Sequence, residues 1–212
     1  MAALSWESMI HLPRLYAILD APYFSDSQIL FSTAEELLAG GVTLLQYRNK
    51  SGNAREMLEE SRELKHWLGD KAKLIMNDRG DLCLAAGFDG VHVGQEDLSP
   101  EGARKVVGTI LWLGVSTHNP EQIEEADKTS ADYIAIGPVF STASKANPDP
   151  VVGLEGVRQA RSLTRKPLVA IGGINRANCR SVIEAGADSV AVISDLMREP
   201  RKSAEDFLRI LG

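Results

Sequence analysis

The sequence predicts a single (β/α)8 barrel of the TIM type. Three observations predict it: short aliphatic or β-branched runs recur from end to end, amphipathic stretches separate them, and nearly every run ends in polar residues. Strict alternation of buried strands with helices implies right-handed crossovers and a parallel sheet covered on both faces. The 212 residues suffice for eight such units, and no Pro/Ser-rich linker or low-complexity segment divides them. Residues 1–212 therefore read as one domain. A doubly wound open sheet is the competing architecture, but its first strand should enter a GxGxxG turn, whereas this one runs into Ala21-Pro22-Tyr23.

The eight predicted strands are Leu15–Leu19, Val42–Tyr47, Lys73–Met76, Gly90–Val93, Leu111–Ser116, Tyr133–Ile136, Pro167–Ile171 and Ser189–Ile193. Between the second and third, Met57, Leu58, Ser61, Leu64, Lys65 and Leu68 fall at helical spacing, with Glu and Arg on the opposite face. A weak internal echo links Ala86-Gly87-Phe88-Asp89-Gly90-Val91 to Ala185-Gly186-Ala187-Asp188-Ser189-Val190, with Ser130-Ala131-Asp132-Tyr133-Ile134 as a looser copy. Gly suits the left-handed position after a helix, and Asp is expected to cap the turn into the next strand. That is a structural reading without chemistry.

Composition narrows the function classes. The formal charge is −6, so no global positive field exists to hold nucleic acid or an anionic membrane surface. Cys83 and Cys179 show no CxxC or Cys/His spacing, which argues against a disulfide framework and a zinc site. The N-terminus lacks a basic region followed by an apolar core, and no run approaches the ~18 apolar residues of a membrane span. A soluble cytoplasmic protein is expected. His11, His66, His92 and His118 form no HExxH spacing, and no GxSxG elbow occurs.

In such a barrel the chemistry lies at the C-terminal strand ends and in the loops after them. Strand two runs into Gln46-Tyr47-Arg48-Asn49-Lys50, where alternation sends Gln46, Arg48 and Lys50 to one side as an amide with two cations, suited to an anion. Strand three ends at Asn77-Asp78-Arg79, and strand four is followed by Gly94-Gln95-Glu96-Asp97. Neighbouring parallel strands lie ~4.8 Å apart, so Asp78 and Asp97 could share Mg2+; alternatively, each caps the following helix. Strand five ends in Ser116-Thr117, read as a hydroxyl pair facing the mouth. The longest loop, Gly137–Pro150, carries Thr142, Ser144 and Lys145 and has the make-up of a lid over a phosphate. Gly172-Gly173 and Ile193-Ser194 follow strands seven and eight, where phosphate sites are frequent.

The ordered set QYRNK, NDR, HVGQEDL, LGVSTH, AIGPVFSTASK, GLEGV, AIGGI and AVIS, spread over nearly the whole chain, resembles the thiamine phosphate synthase family. The resemblance implies a Mg2+-dependent transferase. It would join 4-amino-2-methyl-5-(diphosphooxymethyl)pyrimidine to a thiazole phosphate, or its carboxylated form, by dissociative substitution with release of pyrophosphate. It implies that Gln46, Tyr47, Arg48, Asn49, Lys50, Asn77, Ser116 and Lys145 bind the pyrimidine diphosphate, with Arg48, Lys50 and Lys145 assisting the chemistry. It places Asp78 and Asp97 as metal ligands and Thr142, Ala143, Ser144, Gly173, Ile193 and Ser194 around the thiazole phosphate. The partners expected are small-molecule substrates and, for a barrel of this size, a small homo-oligomer, with neither nucleic acid nor membrane. A thiazole tautomerase-like enzyme and a non-catalytic barrel binding a phosphorylated metabolite are the alternatives. His92 and Arg79 receive no role.

Overall fold

The computed structural model describes residues 10–50, 52–142 and 149–212. The elements alternate throughout: β1 (Leu15–Asp20), α1 (Ser27–Ala39), β2 (Leu44–Arg48), α2 (Ala54–Leu68), β3 (Lys73–Asn77), α3 (Gly80–Ala86), β4 (Gly90–Val93) and α4 (Pro100–Val107) make the first half. β5 (Trp112–Thr117), α5 (Pro120–Asp127), β6 (Tyr133–Ile136), α6 (Gly153–Leu163), β7 (Leu168–Ile171), α7 (Cys179–Glu184), β8 (Ser189–Val192), α8 (Ser194–Met197) and α9 (Pro200–Leu211) complete the second. The strands pair in parallel in chain order, and β8 pairs with β1, so the sheet closes as the sequence predicts. No described helix is long and apolar enough to cross a membrane.

Period-two alternation divides the strand residues between two cores. One face of each strand packs under the helices, as with Leu19, Leu45, Tyr47, Val91 and Leu113. The other face fills the barrel lumen with Tyr16, Ile18, Leu44, Ile75, Tyr133, Ala135, Val169 and Ala191. In α2 the buried residues are Met57, Ser61, Leu64 and Leu68, the stripe that the spacing predicts. Asp26, Asn53, Ser99 and Asn119 cap α1, α2, α4 and α5 by accepting first-turn N–H groups, and Pro follows the last two caps.

The echoed Asp residues do not cap their own turns. Asp89, Asp132 and Asp188 each accept the backbone N–H of a residue at the start of the preceding strand, Leu74, Leu113 and Leu168, at 3.0, 2.7 and 2.8 Å. Each also donates its own N–H to the carbonyl of that same Leu. Lys73, Arg104 and Arg161 neutralise the three carboxylates at 2.9, 2.7 and 2.9 Å. The echo is thus one device used three times, stitching β3 to β4, β5 to β6 and β7 to β8 at the end of the barrel opposite the strand C-termini. Gly87 does take the left-handed conformation after α3, with φ 70°.

Candidate active site

Strand directions gather the C-terminal ends around one cavity of about 390 Å3. Gln46, Arg48 and Lys50 all line it, so the alternation argued from sequence places all three together. Tyr47 and Asn49 point the other way. Tyr47 is buried under α2 with its hydroxyl bonded to Glu60, and Asn49 donates to that hydroxyl and accepts from the Gly52 N–H. The structure therefore does not bring these two side chains into the cavity. Thr117 is also turned away, its hydroxyl donating to the Ala135 carbonyl at 2.8 Å, so the expected hydroxyl pair at the mouth reduces to Ser116.

The cations are held by carboxylates. Arg48 donates to Asp20 at 2.6 Å, and Asp20 is only 2% exposed. Lys50 lies 2.7 Å from Asp78. Neither Asp78 nor Asp97 caps a helix: Arg79 occupies the cap position of α3, and Ser99 caps α4. Asp78 adopts φ 63°, a left-handed conformation uncommon for a residue with a Cβ, while Asp97 accepts the Gly94 N–H at 2.9 Å. Burial raises the Asp78 carboxyl above its usual range, Lys50 works against this, and the adjacent Asp97 carboxylate adds to the rise.

Two carboxylates forced together beside a cavity form a donor set that a hard divalent cation would relieve. Among the described residues no group of three or more His, Cys, Asp or Glu converges to hold a metal. A pair of carboxylates fits Mg2+, which commonly takes one or two from the protein and completes its shell with water and substrate phosphate.

On the far side of the mouth the cavity is lined by Thr142, Gly173, Ile193 and Ser194. Gly172 and Gly173 have φ of 99° and 64°, and a Cβ on either would collide with the 138–141 segment, at 2.5 Å from Pro138 Cβ and from the Ser141 carbonyl oxygen. These glycines let the loop after β6 lie flat on the end of β7. Ser194 opens α8, the short extra helix after β8. Ala143, Ser144 and Lys145, also expected here, lie outside the described residues.

The floor carries Asn77, His92 and Ser116, with Tyr16 beneath and an apolar wall of Ile18, Ala135, Val169, Ile171 and Ala191. His92 was unassigned from sequence. Burial holds its imidazole neutral, down to about 4, against the pull of Asp97. Sequence reasoning also missed Asp20, Tyr16 and Gln95, whose amide donates to the Ser116 carbonyl at 2.6 Å. Asp20 closes β1, so the strand-end rule used for the other strands signals it; Tyr16 offers no such signal.

The thiamine monophosphate synthase family model matches residues 15–196, from the start of β1 into α8. A thiamine-phosphate synthase of Koribacter versatilis is 63% identical over 207 residues, covering 96% of this chain and 98% of that protein. One of Caldicellulosiruptor saccharolyticus is 40% identical over 200 residues, covering 92% and 90%. The solved thiamine phosphate pyrophosphorylase of Pyrococcus furiosus superposes with a TM-score of 0.83 at 36% identity, covering 93% of this chain and 95% of that one. The matched residues span all eight strands around the cavity, and the chain belongs to the thiamine monophosphate synthase family.

Proposed function

We propose that this barrel joins an aminopyrimidine-methyl diphosphate to a thiazole phosphate, giving thiamine phosphate and pyrophosphate. One observation carries the reading: a single cavity has two ends suited to anions, lined by Arg48 and Lys50 with Asp78 and Asp97 on one side and by Thr142, Gly173 and Ser194 on the other. A diphosphate with its metal suits the first end, and a phosphate monoester suits the second. Between them the lumen offers an apolar wall with polar contacts, Gln46 and Ser116 among them, for a flat nitrogen ring.

The chemistry asks little of the protein beyond charge and position. The methylene C–O bond breaks, and its electron pair leaves with pyrophosphate; the ring's amino group stabilises the resulting cation. The thiazole nitrogen then forms the new C–N bond. Arg48 and Lys50 face the developing negative charge, and Lys145 joins them by resemblance. Asp78 and Asp97 would hold Mg2+, which when bound supplies further neutralisation of the leaving group. The apolar wall shields the cation from water, and the two ends of the cavity set the nitrogen against the methylene. A side chain acting as strong base is not required. His92, held neutral and spent on hydrogen bonds to Tyr133 and Ser116, is not placed as the proton shuttle a tautomerase needs.

The test is turnover of the purified protein with Mg2+ and both substrates. Formation of thiamine phosphate equimolar with pyrophosphate supports the reading. Binding of thiazole phosphate without either product, in folded protein, contradicts it.

A further inference from the structure

Five side chains that stand far apart in sequence form one hydrogen-bonded chain beneath the cavity. The Gln46 amide Nε2 donates to the Tyr16 hydroxyl at 2.8 Å, which lies 3.1 Å from the Tyr133 hydroxyl. That hydroxyl lies 3.0 Å from His92 Nδ1, and His92 Nε2 lies 2.8 Å from Ser116 Oγ. Tyr16 and Tyr133 are 1% and 0% exposed, so their hydroxyls depend on these contacts.

Donor and acceptor counting gives this chain a direction. With Gln46 donating to Tyr16, the Tyr16 O–H has one remaining acceptor, Tyr133; the Tyr133 O–H then has His92 Nδ1. His92 must carry its proton on Nε2 and donate it to Ser116 Oγ. Ser116 is thereby left with its own O–H for the cavity, while Gln46 presents its carbonyl oxygen. The reverse chain, with Tyr133 donating to Tyr16, needs the Gln46 amide turned over so that its carbonyl oxygen takes the Tyr16 O–H; with the amide as it stands, that O–H would be stranded at a cost of about one buried hydrogen bond.

Gly114 shows that the packing is built around this contact. A Cβ there would stand 2.4 Å from the Tyr133 hydroxyl and 2.5 Å from His92 Nδ1. His118, also at the cavity, is held differently: its Nδ1 lies 2.6 Å from the Gly137 carbonyl, and its Nε2 lies 3.6 Å from the Asp149 carboxylate.

We propose that Tyr16, Tyr133 and His92 form a one-way relay that fixes Gln46 as acceptor and Ser116 as donor. The cavity floor then selects a pyrimidine bearing an amino group beside a ring nitrogen over its oxo counterpart. The first half rests on geometry alone; the identity of the ring rests on the activity proposed above. An aminopyrimidine edge offers a donor and an acceptor that match this floor. The oxo form offers an acceptor and an N–H, which meet it with both partners inverted.

The relay is tested first in the ligand-free wild-type protein, by nitrogen-15 NMR of labelled histidine at neutral pH, with His92 assigned through His92→Gln. His92 protonated on Nε2 supports the relay. His92 protonated on Nδ1, or doubly protonated, overturns it, whatever the protein catalyses. The selectivity is tested by calorimetric binding of the aminopyrimidine diphosphate, its 4-oxo analogue and inorganic pyrophosphate. The expected preference for the amino form is about 100-fold in wild type and under about 10-fold in Tyr133→Phe, with pyrophosphate affinity unchanged. A preference that survives Tyr133→Phe, or a parallel loss of pyrophosphate affinity, overturns the positioning role. Failure of both ring compounds to bind wild type, with the His92 tautomer as stated, would count against the proposed activity and leave the relay standing.

Discussion

The ammonium of Lys50 lies 2.7 Å from the Asp78 carboxylate, tying the segment after β2 to the end of β3 across the cavity mouth. The pair sits beside Asp97, so one cation and two anions share the position where a diphosphate and its metal would meet.

Removing either carboxylate should therefore separate metal response from fold. Asp78→Asn and Asp97→Asn are expected to lower turnover by about 100-fold or more and to raise the Mg2+ needed for half-maximal rate. Thermal unfolding should shift little, because Asn keeps the shape of each side chain. Pyrophosphate release measured across a Mg2+ titration checks this; wild-type rates with an unchanged Mg2+ requirement would remove both residues from the site.

Arg48 and Asp20 form the opposite case, a pair whose members depend on each other for stability. Arg48→Met leaves the Asp20 carboxylate buried without its partner and should cost about 3–5 kcal/mol in urea unfolding. Adding Asp20→Asn should return most of that loss without restoring activity. Equal stabilities for the single and double variants would show that the pair contributes nothing to folding.

The pH dependence of stability should carry the signature of His92. Its folded pKa is depressed to about 4, chiefly by burial, against ~6.5 in the unfolded chain. A depressed pKa means the unfolded chain takes up the proton first as pH falls. The stabilisation is full above about pH 6.5 and is lost as pH descends toward 4. The stability of wild type relative to His92→Gln should fall by up to roughly 3 kcal/mol between pH 7 and pH 4. A difference that does not change over this range would mean His92 is not buried as a neutral ring.

Much of this was legible before the structure. Strand order, barrel closure and the placement of Gln46, Arg48, Lys50, Asp78, Asp97 and Ser116 follow from alternation and from the rule that parallel strands present their C-terminal ends together. Tyr47, Asn49 and Thr117 were expected at the mouth but are turned outward, because alternation sends every second residue of a strand to the helix side. The relay was not legible, because it joins residues 16, 46, 92, 116 and 133 through contacts that only barrel closure creates. The Asp echo was visible, but its partners lie on the neighbouring strand, and single-segment reading made them turn caps.

That device predicts a clean contrast with the cavity. Asp188→Ala removes the acceptor for the Leu168 N–H and the partner of Arg161, both at the end of the barrel remote from the cavity. It should lower stability by about 1–3 kcal/mol while leaving kcat within about twofold at temperatures where the variant is folded. A large loss of kcat in folded protein would show that the two ends of the barrel are coupled.

The most direct test supplies the aminopyrimidine-methyl diphosphate and the thiazole phosphate with Mg2+, separately and together, and follows pyrophosphate and thiamine phosphate in the same reaction. The expected result is equimolar formation of both products only when both substrates are present, slowed about 100-fold or more by Asp97→Asn. Pyrophosphate released at the same rate without the thiazole, or no product from folded protein that binds both substrates, would contradict a two-ended cavity built for their union.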